Sequence, residues 1–452
     1  MSRHEDAPAR IPATLLQPGA TRFWLAVVAT GLCAGVAAVL LTRLLEVIQR
    51  TAWGGAGRDI LEAASTAAPW RHLVVLLVAG ALTGACQWLL VRLSSGNGID
   101  ITAAIWFQAG RMPAVRTLGS ALLSIVVVGM GASLGREGAP KQAGAVFANL
   151  FADRGRFSDE QRRLLVACGA GAGMAAAYGV PLGGALFSLE VLRGMLALRL
   201  VLPALLCSLV ATTVSWLGLP NAPTYQIPAF PSSTSALPIA FLIGLLAGPV
   251  SVLYVRAVAR ADRGRPTGWR RLAWPTVALG FVGLLSVPFP QLLGNGRDLS
   301  QLLFSGGVTS VGLIVCLLAL KPFCTLLCLG SATPGGLFTP SLTLGALLGA
   351  LLGWLLPSGI GAPDGLAAIL GAGAILAATT QGPISAVVLI MELTGQDRAF
   401  MAPLLLAIIT ATLASRTIEP RSIYDARLTD EEVRARLMAR EPKGSSPPDE
   451  PR

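Results

Sequence analysis

The chain has 452 residues, of which 53% are apolar and 13% charged, with 51 glycines and a mean hydropathy of +0.66. A water-soluble domain cannot bury that much apolar surface, so the composition excludes the soluble classes. The formal net charge of +11 is gathered in residues 2–22, 256–271 and after Arg416, without aromatic interleaving or a soluble basic domain, which excludes a nucleic-acid binder.

Charge-free stretches cover residues 23–42, 73–91, 117–134, 164–189, 201–255, 272–296, 322–363 and 365–391. Most can cross ~30 Å of hydrocarbon as a helix, and the longest must fold back at least once. Only helices or closed barrels satisfy the backbone in lipid, so an all-α polytopic membrane protein is expected. The first stretch follows a polar, proline-bearing segment and ends without a small-residue cleavage site, so it reads as a retained span. Residues 1–22 then form a cytoplasmic N-terminal segment, and the basic clusters mark cytoplasmic loops.

Between the second and third stretches lies Ser95-Gly96-Asn97-Gly98-Ile99-Asp100, by itself an ordinary turn signal. Next comes Gly135-Arg136-Glu137-Gly138-Ala139-Pro140. Proline favours a first helical turn, and the apolar segment that follows to Leu150 offers about 11 residues, too few to span. A broken, half-membrane helix beginning at the glycines is expected. Glu137 reads as a carboxylate in an otherwise uncharged membrane segment, which costs about 2.5–3.5 kcal/mol on insertion scales. A helix N-terminus carries about half a positive charge and unpaired N–H donors, so it can hold either this carboxylate or a permeant anion. The alternative is a Glu137–Arg136 pair that only locks the turn.

An internal repeat organises the chain. Gly169-Ala170-Gly171-Ala172, then Ala175, Ala176, Pro181 and Glu190, is matched by Gly371-Ala372-Gly373-Ala374, then Ala377, Ala378, Pro383 and Glu392, every position displaced by 202 residues. Gly135 and Pro140 are matched in the same way by Gly335 and Pro340 of Gly335-Gly336-Leu337-Phe338-Thr339-Pro340, displaced by 200. Two halves of about 23–218 and 237–416 follow, divided where Pro220, Pro223, Pro228 and Pro231 crowd together. Duplicated membrane carriers place their substrate site between the halves, at broken helices whose N-termini face the ion. The backbone at Leu337 and Phe338 therefore suits an anion, the alternative being a glycine turn that only permits close packing.

The seven cysteines lie inside apolar runs, so a disulfide framework is not expected. Cys324 and Cys328 have helical spacing but lack a second pair for a metal. The two histidines, His4 and His72, suit neither catalysis nor metal binding, which argues against an intramembrane enzyme. No cofactor is implied. Tyr424 follows the last span and opens an amphipathic stretch to Leu437; residues 438–452 read as a disordered tail too short for a soluble regulatory domain.

Gly96-Asn97-Gly98-Ile99, Gly135-Arg136-Glu137-Gly138, Gly336-Leu337-Phe338-Thr339-Pro340 and Tyr424, in that order and spacing, resemble the CLC chloride channel and transporter family over about residues 23–437. The resemblance implies two inverted repeats of tilted and broken helices in a homodimer with one pathway per subunit. Glu137 is then similar to the external gating glutamate and proton acceptor, with Arg136 beside it. The segment Asn97, Gly98 and Ile99, with Gly138, Leu337, Phe338 and Tyr424, resembles the anion-binding positions. Two positions depart from the pattern. Asn97 stands where the family usually has serine, with Asp100 in place of proline. Val191 stands where proton-coupled exchangers carry an internal glutamate, after a first one that matches Glu190, for which a structural role is favoured over proton transfer. Fluoride exporters of the family also lack that serine and that acid. The expectation is chloride transport, possible proton exchange and, as the alternative, fluoride/proton antiport, in a bacterial inner membrane with both termini cytoplasmic.

Overall fold

The computed structural model describes residues 20–54, 59–93, 100–230, 236–308, 310–355, 365–395, 400–428 and 431, without the Arg199 side chain. Among these residues it holds seventeen α-helices and no strand beyond one isolated bridge. Six helices are long and apolar enough to cross a membrane: Ala20–Trp53, Pro69–Leu93, Ala236–Arg263, Val311–Gly330, Phe338–Leu355 and Met401–Ile418. The long 201–255 stretch folds back as expected, into Leu198–Ser215 and Ala236–Arg263. Leucines such as Leu25, Leu89, Leu209 and Leu413 are exposed on the outside, where lipid replaces water.

The repeat-equivalent helices Asp159–Tyr178 and Leu366–Thr380 lie at the centre. Leu366–Thr380 is buried along its whole length, and Asp159–Tyr178 is buried continuously from Leu164 onward. A helix that is apolar all round belongs inside a bundle. Asp159–Tyr178 starts at a capping box, in which the Ser158 hydroxyl accepts from Gln161 N–H and the Gln161 side chain accepts from Ser158 N–H. It ends where Gly179 turns left-handed at φ 69°.

Glycine decides how closely these helices cross. A Cβ on Gly144 would lie 2.0 Å from the Gly169 carbonyl oxygen, and one on Gly345 would lie 2.3 Å from that of Gly371. The same backbone-to-backbone crossing is thus made once in each half. The caps are exchanged between halves as well. Glu190 accepts from the N–H groups of Ile384 (3.2 Å) and Ser385 (2.6 Å), at the start of Pro383–Thr394. Glu392 accepts from Leu182 (3.0 Å) and Gly183 (2.7 Å), at the start of Pro181–Phe187. Each carboxylate satisfies donors that proline-initiated helices leave open.

The halves are inverted. Gly138–Gly155 runs from the centre toward the end of the molecule where Phe157 meets Phe23. Phe338–Leu355 runs toward the opposite end, where Gly365 abuts Phe304 and Gln301 bonds Gln226. Both broken helices are longer than the sequence argument allowed. Gly138–Gly155 has 18 residues rather than about 11, because it begins two residues before Pro140 and runs past Leu150 through apolar Phe151 and Ala152 and charged Asp153 and Arg154 to Gly155. The break at the glycines holds; the short length does not. Cys324 and Cys328 are buried in Val311–Gly330, and among the described residues no group of three metal-ligating side chains forms.

Candidate functional site

The two glycine turns meet at the centre. Gly135 N–H donates to Gly336 O and Gly336 N–H to Gly135 O, both at 2.7 Å, an antiparallel bridge that joins the halves. Immediately beyond it begin the helices Gly138–Gly155 and Phe338–Leu355, so two helix N-termini converge at the bridge. Their first N–H groups have no acceptor within their own helix.

Glu137 occupies this junction and is fully buried. Its side chain does not cap its own helix but crosses to the other half. Oε1 accepts from Phe338 N–H at 2.7 Å, and Oε2 accepts from Thr339 Oγ1 at 3.1 Å and Tyr178 OH at 3.4 Å. Tyr178 OH and Thr339 Oγ1 are themselves 2.9 Å apart. A Cβ on Gly135 would come within 2.2 Å of both carboxylate oxygens, and one on Gly336 within 2.0 Å of Oε1. A side chain at either glycine would therefore displace the carboxylate from this seat. The residue types foreseen at the turn are there to let an anionic group approach bare backbone.

Arg136 does not pair with Glu137. Its guanidinium lies over the Tyr178 ring, 5.0 Å from the centroid, and it lines a cavity of about 170 Å³ together with Glu46, Tyr178 and Arg297. The alternative of a Glu137–Arg136 lock is not what forms; Arg136 instead faces a vestibule. A second vestibule of about 540 Å³ lies beyond Glu137 and is lined by Gly138, Lys141, Gly336, Leu337 and Tyr424. Buried Glu137 lines neither cavity, although its neighbours Arg136 and Gly138 line the smaller and the larger one respectively.

Of the anticipated anion-binding positions, Gly138, Leu337, Phe338 and Tyr424 come together here. The Phe338 ring stands 6.2 Å from Tyr178 and 6.4 Å from Phe187, and the Phe187 and Tyr424 rings meet edge-on at 5.9 Å. Asn97, Gly98 and Ile99 lie outside the described residues. The neighbouring Asp100 caps Ile101–Phe107, accepting from Thr102 N–H at 2.8 Å and Ala103 N–H at 3.1 Å. It also faces Arg427 at 3.8 Å. Glu190 is engaged in its cap, and Val191 is buried in the π-helical turn Ser188–Arg193.

Three polar residues of the site were not singled out from sequence. Thr339 adjoins Phe338 and was within reach of the repeat argument. Tyr178 carried no signal, because a tyrosine before a C-terminal glycine is unremarkable until the fold brings it to Glu137. Lys141 was legible and overlooked. It sits four residues after Glu137, so the membrane segment is not otherwise uncharged, and it is only 5% exposed.

The family model described as voltage gated chloride channel matches residues 75–416. The voltage-gated ClC-type chloride channel ClcB of Citrobacter koseri is 33% identical over 378 residues, covering 81% of this chain and 89% of the relative. That of Escherichia coli (strain K12 / DH10B) is 34% identical over 384 residues, with the same coverage of 81% and 89%. Among solved structures, a slow cyanobacterial Cl-/H+ antiporter superposes with a TM-score of 0.77 at 23% identity, over 94% of this chain and 99% of that one. A CLC-type fluoride/proton antiporter gives 0.73 at 22% identity, over 91% and 98%. At those identities the likeness is one of fold.

Proposed function

The chain belongs to the voltage-gated chloride channel (CLC) family of membrane anion channels and transporters, and from that membership we propose that it carries chloride along a pathway gated by Glu137. The carrying observation is the seat of the Glu137 carboxylate on Phe338 N–H and Thr339 Oγ1. A carboxylate oxygen there stands in for a permeant anion, because both need the same donors at the same helix end. Protonation removes the charge that holds the side chain in place, so a proton and an anion exchange at one point. Gly138, Leu337 and Tyr424 continue the anion's route into the larger vestibule, with the segment Asn97 to Ile99 completing it. Glu190 acts as a cap rather than as a proton carrier.

A homodimer with one pathway per subunit belongs to the same proposal, as does an inner-membrane location with both termini cytoplasmic. The basic residues Arg256, Arg263, Arg265 and Arg427 gather at the mouth of the larger vestibule or beside it, as expected of a cytoplasmic face. Fluoride/proton antiport is the second reading, favoured by Asn97 in place of serine and by the apolar Val191.

Purified protein in liposomes loaded with chloride or fluoride, monitored by ion-selective electrodes and a pH probe, tests both readings. Chloride efflux with matching proton uptake is expected. Fluoride efflux without chloride efflux would select the second reading, and an absence of anion flux would overturn the first and second alike.

A further inference from the structure

Ala236–Arg263 and Met401–Ile418 pack side by side and run the same way. A Cβ on Gly244 would lie 2.5 Å from the Ala407 carbonyl oxygen, and one on Gly248 2.5 Å from the Ala414 Cβ. Farther along, Arg256 Nη2 donates to Ile418 O at 3.5 Å, so both C-termini open at one face. Between them lies a cleft of about 360 Å³, walled by Arg256, Arg260, Arg263 and Arg421 and by one carboxylate, Glu419. Part of this positive charge is already engaged. Arg256 and Arg421 both donate to Glu419, and cations suit the carbonyl ends of helices. Arg260 is exposed and, among the described residues, its side chain makes no hydrogen bond or ion pair.

The arginines end an apolar stripe. Leu242, Leu246, Pro249, Leu253, Arg256 and Arg260 recur at intervals of three and four residues, so they share one face of Ala236–Arg263. Every one of them is exposed, Leu253 at 71%. From Leu242 to Leu253 the helix rises about 16 Å, close to the hydrocarbon depth of one leaflet, about 15 Å. The face is thus apolar over one leaflet and cationic where that leaflet ends. Trp269 and Trp274, exposed around the start of Arg270–Ser286, suit the same interfacial level.

We propose that this cleft binds the phosphodiester headgroup of an anionic phospholipid, with its acyl chains along Leu242, Leu246 and Leu253. Four guanidinium groups around one carboxylate complement a phosphate, which a planar guanidinium engages through two N–H donors. Basic clefts between spanning helices on the cytoplasmic side are suited to such headgroups. The apolar stripe selects a lipid over a free phosphate, because only a lipid covers both the charge and the leucines. The leaflet is the cytoplasmic one by the orientation proposed above, while the binding itself is independent of transport.

The test uses the full chain, stripped of lipid in detergent and titrated with phosphatidylglycerol or with phosphatidylcholine of the same acyl chains, bound lipid being counted by native mass spectrometry. Phosphatidylglycerol is expected to bind at least about tenfold more tightly. Arg260→Gln is expected to weaken phosphatidylglycerol about fivefold and to leave phosphatidylcholine unchanged, whereas Arg260→Lys, which keeps the charge, stays within about threefold of wild type. Equal binding of the two lipids, or an unchanged affinity in Arg260→Gln, would overturn the proposal. Displacement of phosphatidylglycerol by an equal concentration of inorganic phosphate would overturn it too, since the stripe would then contribute nothing. So would a second copy of the chain that covers the stripe and excludes the lipid. Should Arg260→Gln fail to fold, the wild-type comparison of the two lipids decides alone. Selective phosphatidylglycerol binding by a chain that carries no anion would support this site and sink the transport reading; chloride flux with equal binding of the two lipids would do the reverse.

Discussion

Replacing Glu137 by glutamine keeps the length of the side chain and one carbonyl oxygen but removes the charge that competes with the permeant anion. A hydrogen bond to a charged group contributes about 1.5–3 kcal/mol and a neutral one about 0.5–1.5, so the 2.7 Å contact with Phe338 N–H weakens by about 1–1.5 kcal/mol. The interaction with the end of Phe338–Leu355, about 1 kcal/mol and up to about 2 in a partly buried geometry, disappears as well. The hydroxyls of Thr339 and Tyr178 can turn to accept from the new amide, so they change the balance little. An external anion therefore gains about 2–3 kcal/mol over the side chain, a factor of about 30 to 160 in apparent affinity. Calorimetric titration of the purified variant with chloride measures that factor, and liposome assays measure proton uptake alongside anion efflux. Tighter chloride binding with proton uptake abolished is the expected pair. A chloride affinity within about threefold of wild type, or undiminished proton uptake, would refute the competition argument.

Alanine at Gly144 or at Gly345 would place a Cβ 2.0 or 2.3 Å from a carbonyl oxygen across the helix crossing. Each should destabilise the fold by about 1–3 kcal/mol, seen as a lower melting temperature of the purified protein. A loss in one half with none in the other would contradict the equivalence of the two crossings. Glu190→Gln and Glu392→Gln each weaken a cap made across the repeat, and should cost about 1–2 kcal/mol apiece with proton uptake retained. If Glu190→Gln abolished proton uptake at unchanged stability, direct proton transfer would replace the capping role. Glu419, just past the end of Met401–Ile418, is held below its ordinary 4.5 by its hydrogen bonds to Arg421, against burial that pushes it up and with Arg256 adding to the pull. Its folded form binds protons less readily than its unfolded form, so its stabilisation is complete above about pH 4.5 and fades as pH falls through the lower folded value. Glu419→Gln should lower the melting temperature at neutral pH, with a deficit that shrinks progressively as pH falls below about 4.5; a deficit that stays constant with falling pH would exclude this linkage.

The main architecture was written in the chain because it rests on local and periodic features. Long charge-free stretches demand helices in lipid, and the displacement of 202 residues between the two Gly-Ala-Gly-Ala runs and their following Pro and Glu residues is visible without coordinates. Gly135 and Gly336 were likewise legible as breaks, since glycine clusters before a proline punctuate helices. Their partnership, and the carboxylate that needs the space, were not. Glu137 was identifiable as an acid out of place in a membrane, but the sequence offered Arg136 as its partner by adjacency. The tertiary structure instead sends Arg136 over Tyr178 and Glu137 across the repeat to Phe338 N–H. Helix length was misjudged because the segment was ended at Leu150, although apolar Phe151 and Ala152 follow and backbone hydrogen bonding carries the helix on through Asp153 to Gly155. Composition and repetition thus determined that the chain spans a membrane as two related halves with glycine-broken helices. The fold alone decided which donors Glu137 accepts from and which polar residues line the route, because contacts between residues some 200 positions apart depend on how the two halves close upon each other.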